Sequence, residues 1–130
     1  MNKALIYLSD SSSVSKILIK KALKNLEVFY DETDSADEAK LLMAMQAIPY
    51  NLIITDLFDV EERELSFLEM VEFKGIKVIG ILPETNSSSM DMAFSSMILR
   101  TKMILRHDFK FIELNNYLYE IFSASLKIKK

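Results

Sequence analysis

The sequence has no cysteine, only two glycines and a single histidine. Without cysteine there is no disulfide framework, no thiol nucleophile and no cysteine-ligated zinc; the composition suits a reducing compartment, and the cytoplasm is the expected location. Gly75 and Gly80 stand apart, so no glycine-rich phosphate loop can form, and one histidine without cysteine removes the usual triads and zinc sites, so no enzyme is expected. Long apolar runs are missing too, and none reaches the length that crosses a bilayer. The start, Met1-Asn2-Lys3, lacks the apolar region and cleavage site of a secretory signal, and Met1 reads as a natural start. A net charge of -3 supplies no strong positive field, which argues against nucleic-acid binding by this domain.

What remains is a chain of 130 residues, half of them apolar, enough to bury a core without staples. One domain over 1–130 is expected, with a frayed tail or linker at about 125–130. Short apolar runs alternate with longer amphipathic ones five times over, the pattern of an α/β fold with a parallel sheet covered on both faces. The expected strands are Ala4–Leu8, Glu27–Tyr30, Leu52–Thr55, Val78–Leu82 and Met103–Leu105. Leu52-Ile53-Ile54 is continuously apolar, as a strand buried on both faces must be.

Between the strands, Val14, Ile17, Leu18 and Ala22 fall on one helical stripe. Ser35 and Glu38 form a capping box for a second helix that continues inward through Leu41, Leu42, Met45 and Ile48. A third helix starts among Glu61, Glu62 and Glu64, faces the sheet with Leu65, Leu68 and Val71, and ends at Gly75. Asn86 opens a fourth through Met92, Phe94 and Met97, and a fifth runs from about Phe111 to Ala124 with Leu114, Leu118, Ile121 and Phe122 inward. Tyr117 and Tyr119 cannot both point inward on that helix, so one is expected at the surface.

Ligands of open parallel sheets bind outside the carboxyl ends of the strands, near the point where strand order reverses. Those ends read Ser9-Asp10, Asp56, Leu82-Pro83-Glu84 and Arg106-His107-Asp108. Asp10 and Asp56 would converge there. His107 reads as a surface residue, and Lys16, Lys20, Lys21 and Lys24 as the solvated side of the first helix.

In the order and spacing of its elements the chain resembles the receiver domain of bacterial response regulators over essentially its full length. The segment Tyr50-Asn51-Leu52-Ile53-Ile54-Thr55-Asp56 is similar to that family's phospho-acceptor strand, Asp34 with Glu38-Ala39 resembles the start of its second helix, and Arg106 falls where the family has a lysine. The resemblance implies a flavodoxin-like doubly wound (βα)5 domain with a five-stranded parallel sheet in the order 2-1-3-4-5. It also implies Asp56 as phospho-acceptor, Arg106 as partner of the phosphoryl charge, and a magnesium ion held by Asp10 and Asp56 with help from Asp59. A histidine kinase or a small phosphodonor would supply the group, and the fourth helix, fifth strand and fifth helix would form the face for a protein partner or a homodimer.

The sequence departs from the family's pattern at three further positions. The acid pair ending the first strand is Ser9-Asp10, which weakens magnesium binding, because a hard octahedral ion that keeps several waters then has one carboxylate fewer. The switch hydroxyl and the switch aromatic align with Leu82 and Met103, neither of which can make the usual contact. Met90, Met92, Met97 and Met103 read first as gap-filling core residues, and second as an adaptable surface. Two functions follow: a phosphorylated receiver, or a phosphorylation-independent pseudo-receiver that acts as an interaction or dimerisation module.

Overall fold

The computed structural model describes residues 2–8, 13–45, 49–56, 71, 75–81, 103–106 and 108–127. Strands β1 (Lys3–Tyr7), β2 (Phe29–Thr33), β3 (Leu52–Asp56) and β4 (Lys77–Ile81) lie in parallel in the order β2-β1-β3-β4. Met103–Leu105 forms β5, in parallel register beside β4 with Ile81 level with Leu105. The expected α/β class with a parallel sheet is what the chain adopts.

Both faces of the inner strands β1, β3 and β4 are buried, which is why those strands are apolar on successive residues rather than on alternate ones. One face sends Ala4, Ile6 and Leu8 of the β1 segment, Leu52 and Ile54 of β3, and Ile79 and Ile81 of β4 into a core shared with two helices, α1 (Ser13–Asn25) and the C-terminal helix Phe111–Lys127. The other face sends Leu5, Tyr7, Ile53 and Val78 toward Ala39 and Met43 of α2 (Ala36–Met45), together with Val71. Each leucine, isoleucine or valine among them contributes about 1.5–3 kcal/mol when fully buried.

Helix α1 buries only part of the expected stripe: Ala22 is inward as expected and Leu18 packs against the core. Val14 and Ile17 are exposed, Leu18 is half-buried, and the inward side is Ser15, Ile19, Ala22 and Leu23. This helix is apolar on two adjacent stripes, and the C-terminal helix packs on the one centred at Ile19. Helix α2 is rotated in the same sense: Leu41 and Met45 are exposed, while Ala39 and Met43 are buried with Leu42 against them. The expected cap is present, with the Glu38 N–H donating to Ser35 Oγ at 3.3 Å. In the C-terminal helix Leu114, Leu118 and Phe122 are buried and Ile121 packs beside them, as expected; Tyr117 turns to the core and Tyr119 to the surface.

Glu27, expected to open the second strand, instead closes α1. Its φ of 57° is left-handed, the Val28 N–H donates to Leu23 O at 2.9 Å, and its own N–H donates to Lys24 O at 3.1 Å. This pair of bonds satisfies the last carbonyls of the helix and sets the chain back toward the sheet. The strand therefore begins at Phe29 and runs to Thr33, through polar residues that an apolar pattern does not signal. Gly75 plays the same part later: its φ is 70°, and the Ile76 N–H donates to Val71 O at 3.1 Å. Apart from Val71, the expected third helix, the whole fourth helix and Ile48 lie outside the described residues.

Candidate functional site

Between β1 and β2 the chain travels over one face of the sheet, and between β2 and β3 it crosses over the other, to the far side of β1. The connections therefore diverge at the carboxyl ends of β1 and β3 and leave a crevice there. Asp56 is the last residue of β3, level with Ile81 of β4, and only 7% exposed. A carboxylate offers oxygen acceptors alone, so at such an edge it serves as a nucleophile or as a ligand for a hard cation.

Thr33, Tyr7 and Thr55 lie in one row across β2, β1 and β3, all buried, one residue short of the acid's level. The Thr55 hydroxyl donates to the Asp56 carbonyl oxygen at 3.4 Å, and the Ser35 N–H donates to Thr33 Oγ1 at 3.2 Å, tying the start of α2 to the end of β2. Sequence reading missed this row. Its signal is a threonine at or next to the end of each of two strands, Thr33 in β2 and Thr55 in β3, the first lying beyond the expected end of its strand at Tyr30.

Arg106 follows β5, two strand spacings from β3, about 10 Å across the sheet. Its Nε lies 3.4 Å from Asp108 Oδ1, with both side chains largely exposed. An ion pair so open to water is worth little, so it does not hold the guanidinium in place. Met103 opens β5. Ser9, Asp10, Asp59, Leu82 and His107 lie outside the described residues.

No protein-family model and no curated protein matches the sequence. Solved structures do match. A response regulator receiver protein from Burkholderia phymatum aligns over 95% of this chain and 96% of its own, with TM-score 0.72 and 15% identity. A response regulator receiver protein from Pseudomonas putida aligns over 95% and 96%, with TM-score 0.66 and 20% identity. The response regulator TrrA from Thermotoga maritima, solved in complex with Mg2+ and BeF, aligns over 93% and 99%, with TM-score 0.66 and 17% identity. The chain has the fold of a receiver domain.

For a receiver-type magnesium site, the described donors are few: among the described residues no three acidic, histidine or cysteine side chains cluster. Asp56 nevertheless fits the demand, since Mg2+ needs one or two carboxylates and takes water for the rest. Asp10 would be the second ligand, with Asp59 in support. When bound, the ion would offset the repulsion between the carboxylate and an anionic substrate. Elsewhere in the receiver fold, among the described residues, no helix is long and apolar enough to cross a membrane.

Proposed function

We propose that the chain is a receiver-type signalling domain, a complete (βα)5 unit in the order 2-1-3-4-5, that takes a phosphoryl group on Asp56. One observation carries this reading: a nearly buried aspartate ends the central apolar strand, at the switch point of a receiver fold. A carboxylate oxygen of Asp56 would bond to phosphorus as the bond to the donor's leaving atom breaks, giving an acyl phosphate. The donor is a histidine kinase or a small phosphodonor in the cytoplasm. Arg106 would turn from Asp108 to steady the new charge, and Asp10 with Asp56 would hold magnesium weakly. Output would pass through the face made by the fourth helix, β5 and the C-terminal helix, to a protein partner or a second copy. No catalysis beyond self-phosphorylation belongs to this reading.

Leu82 and Met103 favour a second reading, a pseudo-receiver that works through fixed contacts. A leucine cannot hydrogen-bond a phosphoryl oxygen, so a modified Asp56 would lack the usual pull on the loop after β4.

Incubation with magnesium and acetyl phosphate, followed by intact mass, separates the two. The phosphorylated receiver gains one phosphoryl mass, lost in Asp56→Asn; beryllofluoride shifts amide signals around Asp56 and onward to β5. No mass gain, no amide shifts and no magnesium response would leave the pseudo-receiver.

A further inference from the structure

Away from the Asp56 edge, β2 is a border strand of unusual composition. Its inner side is paired: the Phe29 N–H donates to Asn2 O at 3.1 Å, and Thr33 O accepts from the Leu8 N–H at 3.2 Å. Backbone groups alternate along a strand, so Phe29, Asp31 and Thr33 bond inward to β1, and Tyr30 and Glu32 turn both N–H and C=O outward. Natural borders are blunted with charge and seldom carry exposed aromatics. Here Phe29 is 60% exposed and Tyr30 37%.

The border segment itself carries charge of one sign. Residues 27–38 contain six acids and no lysine or arginine. Lys20 lies 2.8 Å from Glu32 and Lys3 3.4 Å from Asp31, and with six acids in the segment the strip is acidic on balance.

A second copy of the chain suits this border poorly. Antiparallel self-pairing centred on Asp31 sets the two Asp31 residues opposite each other at a Cα spacing of about 4.5 Å, where like charges destabilise. Centring on Glu32 repeats the conflict. Centring on Tyr30 loses one bond of each flanking pair, because the next outward donor, the Val28 N–H, is already given to Leu23 O.

We propose that the outer edge of β2 is a docking site for an extended segment of another protein, basic and apolar at alternate positions, that adds as a further strand. Tyr30 and Glu32 supply the backbone bonds, Phe29 and Tyr30 the apolar contact, and the acidic strip selects lysine or arginine. This surface is separate from the proposed phosphorylation site and from the proposed output face, and does not depend on either.

The test is an NMR titration of the full chain with a capped seven-residue peptide alternating lysine and valine. Saturable shifts centred on the Tyr30 and Glu32 amides are expected. Tyr30→Pro removes an outward donor without breaking the β1 ladder, and should weaken binding about tenfold or more. The same peptide N-methylated at every interior residue, which blocks both of its edges, should fail to bind the unaltered protein, an arm that holds even where the proline variant misfolds. Full binding by the N-methylated peptide, or equal binding by a glutamate-valine peptide, would overturn the proposal, the first against strand addition and the second against a basic partner. So would no shift at millimolar peptide, or β2 shifts that follow protein concentration alone, which would assign the border to a second copy.

Discussion

Replacing Glu27 by glycine should stabilise the protein, and the size of the gain can be worked from the backbone. At φ 57° an L-residue sets Cβ against the neighbouring carbonyl at a cost of roughly 1–2 kcal/mol, which glycine does not meet. Glycine in turn loosens the unfolded chain, which costs about 0.4–1 kcal/mol. The difference is a gain of about 0.5–1 kcal/mol, and for a domain of this size a rise in Tm of about 2–4 °C. Urea and thermal unfolding of Glu27→Gly and Glu27→Ala measure it together. Alanine keeps the left-handed strain while removing the charge, so Glu27→Ala should leave stability within about 0.5 kcal/mol of the parent. Loss of stability in Glu27→Gly, or an equal gain in both variants, would refute the account, the second by showing that removal of an acid from the negative strip was the cause.

Gly75→Ala should act in the opposite direction, destabilising by about 1 kcal/mol although an added Cβ meets nothing within 4 Å, because the φ of 70° alone carries the cost; urea unfolding checks it. Tyr50→Phe should cost about 1–2 kcal/mol at neutral pH, since the buried phenol donates to Asp31 Oδ2 at 2.6 Å. Burial, and then the bond to Asp31, raise that phenol's pKa. The folded state therefore keeps a proton that the unfolded chain releases near pH 10, so stability is full below about pH 10 and falls as pH rises further; Tyr50→Phe should flatten that fall in chemical-denaturation series. Leu5→Ala in the core should cost about 2–5 kcal/mol, and Leu41→Ala on the exposed side of α2 less than about 0.5 kcal/mol, both read by urea unfolding.

The parts of the fold legible in the sequence were those where one signal stood alone. Leu52-Ile53-Ile54 has no helical or alternating reading, so it marked a doubly buried strand, and the acid ending it marked the edge where Asp56 lies. The C-terminal helix has one apolar stripe and its inward residues followed from spacing. Where two signals competed, spacing could not choose. Val14 and Ile17 extend one apolar stripe of α1, and Ile19 and Leu23 extend another; the C-terminal helix, distant in sequence, decides between them. Leu41 and Met45 are misleading for the same reason, because the small Ala39 and flexible Met43 fit the sheet better. The polar border strand Asp31-Glu32-Thr33 forms through pairing with β1, a long-range cause with no local mark. At the site, the position of Arg106 was legible; its pairing with Asp108 depends on a turn that spacing alone does not describe.

The core on the α1 face joins residues 4–28 to residues 105–122. As the chain leaves the ribosome, α1 and β1 emerge early, but the side of α1 that carries Ile19, Ala22 and Leu23 gains its full cover only when the helix bearing Leu114, Leu118 and Phe122 has followed. Until that helix emerges, the side of α1 that carries Ile19 and Leu23 lacks part of its cover. Its completion is a late event, in which the last described helix closes on the first, and this interval is when chaperones would find the chain most easily.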